Sequence, residues 1–354
     1  MLLAIYLGVG ALAAACNGGT ATANCDGDNC EMVGTTQICT QCKQNFVPVN
    51  GQCTAKEGAK TKCADATGAT ATDQTCKKCL STTFMYKGGC YEATATLGSA
   101  MCTKAAAGLC TAPASGYFVP TGVVNTEQFV VACDDTTGVT IAAIGGKYKG
   151  VQNCMTCVTS DAAPGARADT VTTCTRCKDQ QYLKDNACVA DANQCTTGYT
   201  AKQDDTNGNR CLACTDQSNG GAANCAECTY DSAKTRLKCM KCKDPNYLKT
   251  AADGTTTCVD QDKCVTDSFP VMNAQTGNKC VSCGDTDAGV PNCAKCTAPA
   301  STGQKLTCSD CGSGYKLEGE ACVSTSVDLS MGAIAGISVA AVVVVGGLVG
   351  FLCW

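Results

Sequence analysis

The stretch Cys174–Cys188, with the sequence CTRCKDQQYLKDNAC, decides how this chain folds. Its cysteine spacing recurs in Cys308–Cys322, CSDCGSGYKLEGEAC, where a C-x-x-C pair is again followed by ten residues and a third cysteine. The same ten-residue interval occurs twice more, from Cys42 to Cys53 and from Cys79 to Cys90. A constant interval in otherwise different sequences indicates one local unit closed by a disulfide. We therefore predict two bonds, Cys177 to Cys188 and Cys311 to Cys322.

An aromatic residue follows the second cysteine of these pairs by four or five positions. The residues concerned are Phe46, Phe84, Tyr182, Tyr247 and Tyr315. Such a ring either binds a ligand or packs on a disulfide as the small core of its unit. We interpret these rings as structural.

Ten C-x-x-C pairs punctuate the chain, and from Cys174 onward they recur in a fixed order. One pair, two single cysteines and three further pairs form a unit, and the last pair of each unit opens the next, first at Cys239 and then at Cys308. Recurrence of this kind is typical of arrays of small modules. We therefore predict an N-terminal cysteine-rich region of variable type over residues 16–153 and a C-x-x-C repeat region over residues 154–328.

The composition also favours a disulfide scaffold, with 35 Cys, no His and 6 Phe in 354 residues. So few large apolar side chains cannot offset the backbone entropy lost on folding, roughly 1 to 2 kcal/mol per residue, without crosslinks. A disulfide closing about 15 residues contributes roughly 3 kcal/mol in the chain-entropy model. We predict small disulfide-rich modules in an elongated array, with short β-hairpins and little regular helix. The longest cysteine-poor stretch, Thr103–Asn153, holds strand-like runs at Phe129–Ala132 and Val139–Ile141 before a Gly-Gly turn.

The two ends of the chain are apolar. Residues 1–15, MLLAIYLGVGALAAA, have the length and the small final residues of a signal peptide cleaved after Ala15. Thirty-four cysteines then remain from Cys16 to Cys322, an even number that allows complete pairing. The run Leu329–Leu352 carries no charge and is long enough for a transmembrane helix. Residues 353–354 then read as a truncated tail. A removed GPI-anchor signal, with attachment at Ser324 or Ser326, is the alternative.

Three kinds of chemistry use C-x-x-C pairs: thiol redox catalysis, zinc binding and structural disulfides. Redox catalysis needs one low-pKa thiolate on a βαβ framework, and ten pairs without such a framework do not fit it. Zinc needs four thiolates, but the pairs here lie nine to eleven residues apart, closer than the usual zinc spacing, and a secretory compartment oxidises thiols. Structural disulfides are therefore our interpretation, with no cofactor, and zinc is the less favoured alternative.

Catalysis and nucleic-acid binding find no support in the sequence. Without His, the Ser-His-Asp and Cys-His arrangements cannot form, so we predict that the protein is not an enzyme. The 27 basic and 31 acidic residues are mixed along the chain, and no basic stripe indicates a nucleic-acid partner.

The dense C-x-x-C repeats, the tetrapeptide Gly88-Gly89-Cys90-Tyr91 and the C-terminal segment from Ser330 to Trp354 together resemble the variant-specific surface proteins of Giardia. This resemblance implies a single-pass type I protein of the plasma membrane whose ectodomain forms a coat. It implies host antibodies as partners, antigenic variation, resistance to intestinal proteases, zinc-finger-like motifs, and lipidation at Cys353. The family pattern continues into a short basic tail, Cys-Arg-Gly-Lys-Ala, and this sequence stops before it at Trp354. A receptor-like ectodomain that binds a ligand through a concave apolar patch in Thr103–Asn153 is the alternative function.

Overall fold

The computed structural model describes residue 16 and residues 22–160, 168–298 and 306–325. The signal peptide, the membrane segment 329–352 and Cys353, all expected from the sequence, lie outside these residues. Within them no helix has the length and apolarity needed to cross a bilayer. Short strands and few helices make up the described part of the chain, which confirms the expected disulfide-rich modules with β-hairpins.

The described residues contain 31 strands, two four-residue α-helices and three single-turn 3-10 helices. Up to residue 160 the order is β1 (Cys30–Val33), β2 (Thr36–Cys39), β3 (Phe46–Val49), β4 (Gln52–Ala55), α1 (Lys56–Ala59), β5 (Cys63–Ala64), β6 (Lys78–Cys79), β7 (Thr83–Tyr86), β8 (Gly89–Glu92), α2 (Thr96–Ser99), β9 (Cys102–Ala106), β10 (Leu109–Pro113), β11 (Tyr117–Phe118), β12 (Val131–Ala132), β13 (Val139–Ile141), β14 (Gly146–Lys149) and β15 (Cys154–Val158).

From residue 168 the order is β16 (Thr170–Val171), β17 (Thr173–Cys177), β18 (Tyr182–Lys184), β19 (Ala187–Val189), β20 (Tyr199–Lys202), β21 (Arg210–Ala213), β22 (Cys225–Asp231), β23 (Arg236–Cys242), β24 (Tyr247–Thr250), β25 (Thr256–Val259), β26 (Ser268–Val271), β27 (Lys279–Ser282), β28 (Cys293–Thr297), β29 (Thr307–Cys311), β30 (Tyr315–Glu318) and β31 (Ala321–Ser324). The 3-10 helices are Ala192–Gln194, Gln217–Asn219 and Gln261–Lys263.

All 34 cysteines of the described residues are paired, in 17 disulfides. Twelve of these bonds form four three-disulfide clusters, in each of which three bonds pack against one another. The clusters comprise Cys16–Cys30, Cys25–Cys39 and Cys42–Cys53; Cys133–Cys157, Cys154–Cys174 and Cys177–Cys188; Cys214–Cys228, Cys225–Cys239 and Cys242–Cys258; and Cys283–Cys296, Cys293–Cys308 and Cys311–Cys322. The other five bonds are Cys63–Cys76, Cys79–Cys90, Cys102–Cys110, Cys195–Cys211 and Cys264–Cys280.

The second cluster shows how the sequence builds this arrangement. Strands β15 and β17 are antiparallel, with Cys154 opposite Cys177 and Cys157 opposite Cys174. The register shifts twice between these pairs, so each strand carries one residue more than a regular ladder allows. The diagonal bond Cys154–Cys174 closes the hairpin, while Cys157 and Cys177 bond to cysteines outside it. The same register recurs in β22 with β23 and in β28 with β29.

Four-stranded sheets follow three of the clusters. Each sheet joins two antiparallel hairpins through a parallel contact between their inner strands, in the orders β4-β3-β8-β7, β19-β18-β21-β20 and β25-β24-β27-β26. The aromatic residues expected to be structural begin or nearly begin the first strand of a hairpin. Tyr182 and Tyr247 are buried there, and Phe84 is completely buried, but Tyr315 is 38% exposed. The last hairpin, β30 with β31, has no second hairpin in the described residues to cover it.

Between the first sheet and the second cluster lies a more conventional apolar core. The strand expected at Val139–Ile141 is confirmed as β13, and it pairs with β14 across the predicted turn. Phe118, Ile141 and Tyr148 are buried together there. The expected strand at Phe129–Ala132 is shorter than predicted, because only its last two residues form β12, although Phe129 and Val130 are buried.

The described residues cluster into two compact units. The first takes in the described residues up to Thr196 together with Ala201–Leu212, and the second takes in Thr197–Thr200 together with the described residues from Ala213 onward. The Cys195–Cys211 bond lies within the first unit and the Cys214–Cys228 bond lies within the second.

We predict that no C-x-x-C pair is bonded internally and that Cys177–Cys188 and Cys311–Cys322 are native disulfides. In the three bulged hairpins the register directs the two cysteines of each pair to different partners. Non-reducing peptide mapping of the oxidised protein measures this directly. A crosslink between Cys239 and Cys242, or free thiols at the four named cysteines, would contradict the prediction.

Candidate functional surface

The tetrapeptide Gly88-Gly89-Cys90-Tyr91 runs from a hairpin turn into strand β8. The turn residues Lys87 and Gly88 both have positive φ, at 44° and 75°, as a two-residue hairpin with right-handed twist requires. A Cβ on Gly88 would stand 3.0 Å from the Thr40 carbonyl oxygen, and one on Gly89 would stand 3.0 Å from the Pro48 side chain. Gly89 therefore allows β8 to approach β3 closely, and Gly88 allows the turn to approach the chain that follows β2.

The other two residues of the tetrapeptide belong to the core. Cys90 is fully buried and bonds Cys79. Tyr91 is also fully buried, with its ring centroid 6.1 Å from that of Phe84 and 6.0 Å from that of Tyr86. Its hydroxyl is buried without a hydrogen-bond partner, and burial raises the pKa of Tyr91 far above its ordinary value. The tetrapeptide thus acts in packing, and nothing in its geometry exposes it to a ligand.

A concavity of about 560 Å³ lies beside this core and includes part of Thr103–Asn153. Its rim carries two exposed methionines, Met32 and Met155, and Tyr86 and Tyr117 meet edge to face beneath it. Its lining also includes five charged side chains, those of Glu31, Lys87, Asp134, Asp135 and Lys178. The lining is therefore mixed and charged, whereas the receptor alternative requires a concave apolar patch.

The charges of this concavity pair with one another. The Lys87 ammonium lies 3.6 Å from a carboxylate oxygen of Glu31 and 3.4 Å from one of Asp135, and Lys178 pairs with Asp134. Burial disfavours the charged form of Asp135, but a hydrogen bond from Thr137 and the charge of Lys87 outweigh it and lower its pKa. Sequence analysis missed this cluster because Lys87 and Asp135 are far apart along the chain and no spacing rule links them.

Several other acidic groups of the described residues accept hydrogen bonds within turns. The carboxylate of Asp204 accepts hydrogen bonds from the backbone of Thr206 and Asn207, and the bond from Asn207, with bonds from the side chains of Asn207 and Lys202, lowers its pKa to about 2. Hydrogen bonds from turn residues likewise lower the pKa of Asp253 and that of Asp285. A general acid needs a raised pKa, so these shifts have the wrong direction for that role.

The cysteine clusters include groups of three sulfurs within 4.8 Å of one another, such as Cys174, Cys177 and Cys188. This is close enough for shared metal binding, but every one of these sulfurs is in a disulfide. Because zinc binds thiolates, a zinc site here would require prior reduction.

Comparison with known proteins identifies the family of this chain. A family model described as Giardia variant-specific surface protein matches residues 187–354. The chain is 44% identical over 311 residues to the major surface-labeled trophozoite antigen 417 of Giardia intestinalis, an alignment that covers 83% of this chain. It is 34% identical over 373 residues to variant-specific surface protein VSP4A1 of the same organism, which covers 93% of this chain. The chain belongs to the Giardia variant-specific surface protein family.

A third relative is surface antigen CRP170 of Giardia intestinalis, which is 24% identical in an alignment that covers 79% of this chain and 89% of the relative. The chain spans 43% and 52% of the lengths of the first two relatives, about half. No solved structure matches it. In this member of the variant-specific surface protein family, the tetrapeptide that carries the resemblance is a packing element.

We predict that Tyr91→Phe leaves the free energy of unfolding unchanged or raises it, because the hydroxyl it removes has no partner. Tyr91→Ala is expected to lower that free energy by about 3 to 5 kcal/mol, since it empties a fully buried site. Denaturant unfolding with the disulfides intact measures both changes.

Tyr148→Phe is the matched control, because Tyr148 is also fully buried with an unpartnered hydroxyl. A loss of more than about 1 kcal/mol in Tyr91→Phe would mean that its hydroxyl has a partner after all.

Proposed function

We propose that this protein is a cell-surface coat antigen that takes part in antigenic variation and immune evasion, with an extracellular ectodomain that resists proteases. The observation that carries the proposal is membership of the variant-specific surface protein family, whose relatives at 44% and 34% identity bear the names of surface antigens. The proposed function depends on the disulfide-bonded framework of the protein and needs no catalytic site.

Protease resistance has a structural basis in the cysteine framework. A protease must bind several consecutive residues in an extended form, so the substrate segment has to open locally first. Of the 27 Lys and Arg residues, 19 lie between two cysteines that are bonded to each other. A bond at both ends of the segment opposes that opening, and a single cut inside the loop leaves the two parts of the chain joined.

The framework also suits a surface that changes in sequence. Two loops in equivalent places of the repeat, Asp204–Asn209 and Asn273–Asn278, share the same turn. In both loops the side chain of the first residue accepts hydrogen bonds from the backbone amides two and three residues later in the chain. The side chain of the last residue accepts a hydrogen bond from the backbone amide of the first residue. Of the residues between them, Gly208 and Gly277 occupy the same place, whereas the three residues before each glycine differ and are exposed. The turn thus depends on few positions and leaves the others open to the changes that antibody evasion requires.

Surface display is tested on cells that express the full chain. We expect antibodies against the ectodomain to label intact, unpermeabilised cells. Labelling should persist after phospholipase treatment, because the uncharged run 329–352 anchors the protein as a transmembrane helix. A GPI-anchored surface protein treated in parallel is the positive control for the enzyme. Release of the ectodomain would overturn the transmembrane anchor, and labelling only after permeabilisation would overturn surface display.

We further predict that the oxidised ectodomain survives trypsin under conditions that degrade the reduced and alkylated form. Four samples separate the causes: untreated, chelator-treated, reduced and alkylated, and treated in both ways. Disulfide shielding predicts that reduction alone opens the fold, whereas zinc predicts that chelator alone does so. Rapid cleavage of the untreated protein throughout its repeats would contradict the proposed shielding.

A further inference from the structure

The disulfides of the described residues close local loops, and none of them connects the segment up to Cys53 to the residues from Cys63 onward. The first three bonds all join cysteines at or before Cys53, and the next bond begins at Cys63. Between these two cysteines only the peptide chain joins the two parts covalently. A cut in this link therefore leaves no covalent bond between the two parts, whereas a cut inside a disulfide loop leaves them joined.

Eight of the 27 basic residues lie outside every disulfide loop, and five of them are poor protease sites. Lys77 and Lys78 stand between Cys76 and Cys79, which are both bonded, and Lys263 directly precedes the bonded Cys264. The other two, Arg176 and Lys241, stand inside the pairs Cys174/Cys177 and Cys239/Cys242, in strands that are themselves paired. Closely spaced bridges leave too little free chain for a protease to bind.

Arg176 and Lys241 are also held by the repeat itself. The Arg176 guanidinium donates to the carbonyl oxygens of Thr206 at 3.1 Å and Asp205 at 3.2 Å. The Lys241 ammonium donates to the Gln275 carbonyl oxygen at 3.5 Å in the equivalent loop of the next unit. A protease specificity pocket would have to take these side chains from existing partners.

The remaining three, Lys56, Lys60 and Lys62, all lie in the nine-residue link between Cys53 and Cys63. The other long unbridged links, from Cys90 to Cys102 and from Cys110 to Cys133, contain no Lys or Arg. This link is thus the longest unbridged segment that offers a trypsin-like protease a cleavable residue.

Within the link, Lys60 is the most accessible of the three. Lys56 donates to the Thr72 carbonyl oxygen, and Lys62 pairs with Glu92 at 2.8 Å. Lys60 is 51% exposed, and its ion-pair partner Glu57 is 77% exposed, so solvent screens the pair and it contributes little. The helix that precedes Lys60, α1, has one turn and no side-chain cap.

We propose that the Lys60–Thr61 bond is the site at which a lysine-specific serine protease divides this otherwise resistant chain. The proposal rests on the proposed shielding, since it names the point at which shielding fails. Water hydrolyses the bond, leaving a carboxylate on Lys60 and an amine on Thr61. No disulfide then links the part that ends at Lys60 to the part that begins at Thr61.

The two parts stay together through non-covalent contacts. Strand β3 of the first part pairs with β8 of the second, where the Asn50 amide nitrogen donates to the Cys90 carbonyl oxygen at 3.0 Å. The Asn50 side chain also donates to the Glu92 carboxylate and accepts from the Glu92 amide, both at 2.8 Å. Val33 and Ile38 of the first part are buried with Phe84 and Tyr91 of the second. The nicked protein should therefore remain assembled in native buffer and separate in detergent.

The test treats intact cells that express the full chain with trypsin and compares reduced with non-reduced denaturing gels. We expect a small N-terminal fragment to separate without reduction, and sequencing of the larger product to find Thr61 as its new N-terminus. Immunoprecipitation of the larger product in native buffer should retain the small fragment. Loss of the fragment in native buffer would overturn the non-covalent assembly.

Lys60→Gln should slow the separation at least tenfold. Lys316→Gln is the matched control, because Lys316 is 58% exposed but lies inside the Cys311–Cys322 loop, and it should change nothing. No separation in the wild-type chain, or a new N-terminus elsewhere, would overturn this proposal while leaving the shielding intact. Many fragments without reduction would instead overturn the shielding.

Discussion

Three of the four disulfide clusters depend on one irregularity of β-structure, the extra residue that each strand carries in the hairpins β15 with β17, β22 with β23 and β28 with β29. In a regular strand, side chains at positions i and i+3 point to opposite faces. The register shifts in β15 and β17 reduce the separation of the two cysteines to two rungs. All four cysteines of the hairpin thereby reach one face, where Cys154, Cys174 and Cys177 are buried together. One diagonal bond closes the hairpin, and the two remaining sulfurs are left to bond the neighbouring segments.

The cluster formed in this way replaces a hydrophobic core. In the repeats, three disulfides packed on one another form the buried centre. Sγ atoms of different disulfides lie 3.6 to 3.9 Å apart in the pairs Cys174 and Cys188, Cys239 and Cys258, and Cys308 and Cys322. Side chains outside the cluster do little packing, which is why a sequence so poor in large apolar residues can fold. Only at the first sheet, around Tyr91, and between that sheet and the second cluster, around Tyr148, do aromatic and branched side chains of the described residues form cores of ordinary kind.

Sequence spacing indicates a local unit, because a hairpin of fixed length brings its two cysteines together whatever lies between them. It did not predict where the other cysteines bond, because that depends on strand bulges with no residue signature. The first cluster shows the limit: Cys25 and Cys30 occupy the places of a C-x-x-C pair but are five positions apart. The recurring aromatic position was also read too uniformly. Tyr182 is buried and Tyr315 is exposed, since burial depends on a neighbouring hairpin and not on spacing alone. The ion pair between Lys87 and Asp135 could not be predicted from spacing, because only the tertiary fold brings the two residues together.

All 17 bonds join cysteines only 8 to 24 residues apart. In the chain-entropy model loops of this size contribute about 2.5 to 3.5 kcal/mol each, somewhat less than long-range crosslinks would. Local bonds have a different advantage, because each cluster is complete once its own residues are joined and needs no distant partner to hold it. A substitution in one exposed loop then leaves the other clusters unstrained, since no crosslink transmits the change along the chain. A surface antigen whose sequence must change while its fold persists requires this independence. The same independence means that only the peptide chain and non-covalent packing hold the two parts together at the Cys53–Cys63 link.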